Sequence, residues 1–170
     1  MNLDFHHHIP NDFNDDSKVW IYQSNRDFTI EEAIQIEQML AEFTAGWNSH
    51  GDKVKGFGNL FFGHFLILMA DETASHVSGC STDSSVRLIK NIEEDFNVKM
   101  FDRQSLAFIV HERIQLMHLN DVPNAIECNV IDGECLYFNN TILTKKDLLN
   151  NWIIPVKNSW LAEKFSVKNH

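Results

Sequence analysis

Cys80 stands in the stretch SGCSTDSS, residues 78 to 85, between an apolar run that reads FLILMAD and a helical run that reads VRLIKNIEEDF. A thiol just ahead of a helix start meets unpaired amides and the positive end of the helix dipole, which favour its thiolate, the reactive form. His50, in the turn WNSHG, is the base that would complete a nucleophile pair, with Asp83, Asp71 or Glu72 to orient its ring. That constellation points to a thiol-dependent acyl or thioester hydrolase or transferase. The plainer reading of Cys80 is a small apolar filler, since a free cysteine is among the most buried residue types.

The same stretch can be read without a nucleophile. Gly79 lets a ligand approach the backbone, and the amides of residues 80 to 84 with the hydroxyls of Ser81, Thr82, Ser84 and Ser85 would seat a small anion, with Trp47 in the facing turn. Asp83 opposes this by adding negative charge to the first turn. Ordinary capping by Ser81 or Thr82 explains most of these residue types as well.

Metal chemistry has little support. His111 and His118, like Cys128 and Cys135, are too few to form a ligand set, and no CxxC or HExxH spacing occurs. His6, His7 and His8 read as part of an exposed polar arm. No metal and no cofactor are expected.

The elements that must position these residues follow from pattern. Residues 1 to 17 read as a flexible tail, and residues 18 to 170 as one domain. The run from Val19 to Gln23 is β-branched and aromatic, as strands are. Thr29 with Glu32 forms a capping box, opening a helix to about Gly46 with Ile30, Ala33, Ile36, Met39, Leu40, Phe43 and Trp47 on one face. Two extended pieces, Val54 to Phe57 and Phe61 to Met69, flank Gly58-Asn59 as a hairpin turn, and the second is a central strand. A second helix carries Val86, Leu88, Ile89, Ile92 and Phe96, and Leu106 to Val110 is a further strand. Beyond it come a helix near Pro123 to Cys128, a turn at Asp132-Gly133, a strand at Leu136 to Phe138, and a helix capped by Thr144. Trp152 and Trp160 read as aromatic anchors for the C-terminal segment.

The order strand, helix, strand, strand, helix, strand is that of a ferredoxin-like, split βαβ sheet. The fold expected is therefore α+β, an antiparallel or mixed sheet backed by two main helices, with a small helical C-terminal segment. In that topology the end of the first helix and the start of the second share one edge of the sheet. WNSHG and SGCSTDSS should be neighbours.

With its segments in this order the chain resembles a family of short uncharacterised Bacteroidetes proteins, on VWIYQSNRDFT (19 to 29), WNSHG (47 to 51), FLILMADE (65 to 72), SGCSTDSS (78 to 85), FDR (101 to 103), FNN (138 to 140) and SW (159 to 160). Members often carry the label ABC transporter ATPase. The phosphate-wrapping GxxxxGK[ST] sequence is not present here, so the residues do not support that label. In related sequences Thr82 is commonly Ile, so the resemblance implies that its hydroxyl is dispensable. It also implies a bacterial cytoplasmic protein, with no established activity.

Composition narrows the partners. A net charge of -10, from 24 acidic and 14 basic residues, repels a phosphate backbone, which argues against nucleic acid. The longest apolar run, Phe61 to Ala70, is broken by Gly63 and His64 and is too short to span a bilayer. The N-terminus has neither the basic start nor the apolar stretch of an export signal, and 3 cysteines suit free thiols; both point to the cytoplasm. The function expected is a small binding or interaction module with an anion pocket at residues 78 to 85, the thiol-dependent enzyme being its rival. A protein partner or a homo-oligomer is compatible with either.

Overall fold

The computed structural model describes residues 1 to 74 and 79 to 165, and at residues 79 and 80 the backbone alone. Within these limits the chain is α+β, with antiparallel sheets.

The first sheet has the order β1 (Lys18–Gln23), β5 (Phe65–Asp71), β4 (Lys55–Phe61), with β5 antiparallel to both neighbours. Every residue of β5 is buried, as a nearly continuous apolar run requires. Its side chains alternate between two cores. Leu66 and Leu68 pack with Ile36, Leu40, Ile89 and Ile92 of helices α1 (Ile30–Gly46) and α2 (Gly79–Phe96). Phe65, Ile67 and Met69 face the opposite way, into a cluster with Phe138 and Trp152. A short ribbon, β2 (Asn48–Ser49) and β3 (Asp52–Lys53), joins α1 to β4.

The capping box forms as expected: Thr29 Oγ1 accepts from the Glu32 amide, and Glu32 accepts from the Thr29 amide. Glu32 also takes a bidentate ion pair from Arg26, at 2.8 and 2.9 Å. The bond from Arg26 holds its carboxyl well below the usual range, at about 2. Arg26 donates as well to the Phe96 carbonyl, at the last turn of α2, so one guanidinium fastens the start of α1 to the end of α2. Ile30, expected on the buried face, is 78% exposed in the first turn.

The hairpin turn is not at Gly58-Asn59. It lies at Phe62-Gly63-His64, between the paired Phe61 and Phe65, with positive φ at Phe62 (54°) and Gly63 (63°). Gly58 and Gly56 instead sit inside β4 because α1 presses on that strand. A Cβ at Gly58 would stand 3.0 Å from Leu68 and 3.3 Å from Leu40, and one at Gly56 would stand 2.7 Å from the Trp47 ring.

The ferredoxin-like sheet is not confirmed. After α2, strand β6 (Ser105–Val110) leaves β1 and joins a second sheet of order β7-β6-β8-β9, with β7 (Arg113–His118), β8 (Leu136–Phe138) and β9 (Ile153–Pro155). The strand β7 was not read from the sequence; a turn at His111-Glu112, both at positive φ, returns the chain onto β6. One face of this sheet packs Leu106, Phe108 and Tyr137 against α3 (Val122–Glu127) and α5 (Trp160–Phe165). The other packs Ala107 and Phe138 into the core shared with the first sheet.

Residues 1 to 17 are not a free tail. Phe5, Ile9 and Phe13 are buried in that shared core beside Phe61 and Trp152. Lys145, in helix α4 (Lys145–Asn151), is itself buried and donates to the Phe13 carbonyl at 2.7 Å. The arm packs through Phe5, Ile9 and Phe13, with Leu3 beside them, apolar residues scattered among Asn, Asp and His.

Candidate functional site

The two stretches expected to meet do meet. The Trp47 indole Nε1 donates to the Ser81 carbonyl at 3.1 Å, and the Ser81 hydroxyl donates to the Asn48 carbonyl at 2.5 Å. Helix α1 ends here because Trp47 turns to extended backbone (φ −72°, ψ 119°), which swings its ring under the corner. There it packs against Phe43 and Trp20, with 2% of its surface exposed.

The start of α2 differs from expectation. The helix opens at Gly79, so Ser81, Thr82, Asp83, Ser84 and Ser85 are its first turns and not a loop ahead of it. The amides of Asp83 and Ser84 are therefore engaged by the helix's own carbonyls. Ser81 and Ser85 are fully buried, and the Ser85 hydroxyl donates to the Thr82 carbonyl at 2.7 Å. These two hydroxyls are committed: Ser81 holds the corner together, and Ser85 bonds within its own helix. Asp83 is exposed, and Thr82 and Ser84 are half-buried.

His50 sits at the exposed tip of the β2-β3 ribbon, at φ 50°, followed by Gly51 at φ 87°. The Cys80 thiol, the nucleophile of the enzyme reading, lies outside the described residues, as does Ser78. Asp71, considered as an orienting group for His50, is committed elsewhere. Its buried carboxylate accepts from the Asn14 amide (2.9 Å), the Thr73 amide (2.9 Å) and the Thr73 hydroxyl (2.7 Å). Burial alone would raise its pKa; these bonds and the Lys55 ammonium outweigh that and hold it at about 2.

Above the corner lies an open cleft of about 370 Å³ between the last turns of α1 and one face of α2. Its α2 side is Ser84, Arg87, Leu88 and Asn91, spaced three and four apart as one helix face requires. Its α1 side brings Glu42, and Phe43 and Trp47 supply an aromatic floor. Arg87 is exposed and makes no ion pair among the described residues. Sequence reasoning placed Trp47 and Ser84 here but missed Arg87, whose position one turn beyond Ser84 was the available signal.

The remaining cysteines and histidines do not converge. Cys128 is exposed at the end of α3, and burial, aided by Asp132, pushes the Cys135 thiol up to about 11. His111 lies in a turn and His118 bonds Gln104. Among the described residues no three His, Cys, Asp or Glu side chains gather as metal ligands, and no helix is long and apolar enough to cross a membrane. No family model matches the chain, and neither a curated relative nor a solved structure matches it.

Proposed function

We propose that this protein is a binding module whose site is the cleft over the Trp47–Ser81 joint, and that it takes a small anionic ligand there. The observation that carries the reading is an arginine without a carboxylate partner among the described residues, at an aromatic-floored cleft: Arg87 beside Phe43 and Trp47. A guanidinium offers a carboxylate or phosphate two parallel hydrogen bonds, and the aromatic floor lowers the local dielectric in which they act. Ser84 and Asn48 add polar groups on either side, while Glu42 on the facing helix selects against polyanions.

A thermal-shift panel of inorganic phosphate, acetate and mononucleotides tests it. A ligand held only by the folded form raises the melting temperature, by the equivalent of about 2.7 kcal/mol at a hundredfold excess over Kd. The shift should vanish in Arg87→Gln and persist in Cys80→Ser. No shift from any member would end the reading. Hydrolysis of a thioester by the wild type, lost in Cys80→Ser and kept in Arg87→Gln, would favour the thiol-dependent enzyme in its place.

A further inference from the structure

A second cavity lies where the two sheets meet, remote from α1, and it has the parts of a binding site that the cleft reading does not use. Its floor is a locked chain of side-chain amides. The Trp152 indole donates to Asn140 Oδ1 (3.0 Å), Asn140 Nδ2 donates to Gln23 Oε1 (2.9 Å), and Gln23 Nε2 donates to the Ser105 carbonyl (2.9 Å). Each amide is oriented by both neighbours, so this floor is rigid before any ligand arrives. Beside it is a partly open space of about 110 Å³, room for part of a small molecule and not for a nucleotide.

Tyr137 lines this space with 2% of its surface exposed. Its phenolic oxygen accepts from the Trp160 indole at 3.2 Å, and among the described residues its own proton has no acceptor. A phenol proton on the wall of a cavity can donate to an acceptor that enters it. Two large aromatic side chains stand at the mouth with an unusual share of their surface in solvent, Phe101 at 39% and Trp160 at 37%. Arg103, itself exposed, lines the same cavity and makes no ion pair among the described residues.

We propose that this seam is a ligand site for a small planar carboxylate of the aromatic-acid type, its ring held by Phe101 and Trp160, its carboxylate by Arg103, and a carboxylate or ring acceptor by the Tyr137 hydroxyl. The ring edges of the two aromatics suit a flat apolar body, and the guanidinium fork suits a carboxylate. A phosphate monoester of similar size would lack the flat contact with the rings. The inference is independent of the Arg87 cleft.

Titration with benzoate, followed by the indole N–H cross-peaks in a ¹⁵N-labelled sample, tests it. The Trp160 peak, assigned by its loss in Trp160→Phe, should shift and saturate. Arg103→Gln should weaken binding about tenfold or more, the effect of losing one charge-assisted pair. Tyr137→Phe should weaken it several-fold, and benzamide, which lacks the charge, should bind at least tenfold more weakly than benzoate. Arg103 is exposed, so its variant keeps the fold and the comparison stays valid. A Trp160 peak that does not move at 20-fold the concentration of any other response, movement of the Trp47 peak alone, or equal affinity in Arg103→Gln would each overturn the proposal.

Discussion

The ring of His64 meets the Asp27 carboxylate at 2.8 Å through Nδ1, which therefore donates, while Nε2 is buried with no hydrogen-bond partner among the described residues. A second proton would have to enter at Nε2, beside the Phe65 ring. Burial lowers the pKa of His64, and the bond and charge of Asp27 only partly oppose that. The sign for stability follows. The unfolded chain takes up its proton near the ordinary histidine value of about 6.5 and the folded chain does so at lower pH, so stability is full above that value and declines as pH falls below it. Unfolding free energies from denaturant titrations between pH 7.5 and 5 should fall by at most about 1.4 kcal/mol per pH unit for this proton, and His64→Phe should flatten the curve. Equal slopes in the two proteins would contradict it. A base inside the apolar run FFGHFLILMA was the visible sign of a special residue, but the sequence could not reveal Asp27 as its partner, 37 positions away.

At the scale of elements, the two glycines of β4 mark where α1 touches the sheet. Gly56→Ala would push a methyl to 2.7 Å from the buried Trp47 ring, an overpacking that costs roughly 1 to 3 kcal/mol. Gly46→Ala, in the last turn of α1 with nothing within 4 Å, should instead be neutral or stabilise by up to about 1 kcal/mol. Thermal melts of the two variants check the pair, and equal melting temperatures would show that α1 can back away from β4. The same contrast explains what was legible. The Thr29 capping box, the Thr144 cap, the strand at Leu106 and the apolar faces of both helices are local patterns, and all formed. Gly58-Asn59 has the composition of a turn but lies in a strand, because the reason for its glycine is Leu40, a contact that local sequence does not carry. The early start of α2 was missed for a like reason: Ser81 and Ser85 resemble capping residues, yet one faces Asn48 and the other its own helix.

For the whole molecule, the unexpected feature is that the N-terminal arm shares one core with Phe138, Leu148 and Trp152 from the other half of the chain. Topology rules anticipated the corner at Trp47 and Ser81, since β1, α1, β4 and β5 follow the expected path. They did not anticipate that β6 would found a second sheet, because one edge of β6 is taken by β7 across a tight turn and the other by β8, which follows only after α3. The arm is the clearest case. Phe5 stands edge-on to Trp152 at 4.9 Å, and His6 Nε2 lies 2.9 Å from the Leu149 carbonyl. Phe5→Ala should cost roughly 3 to 5 kcal/mol in urea unfolding, as for a large buried aromatic. A cost below about 1 kcal/mol would mean that the arm is dispensable after all.

The arm's partners also dictate when the protein can finish folding. During synthesis residues 5 to 13 are made well before their seat beside Trp152, which at roughly 5 to 20 residues per second follows about 7 to 30 seconds later. Until then Phe5, Ile9 and Phe13 stay uncovered, so a nascent chain stalled before α4 presents a sticky apolar end to chaperones.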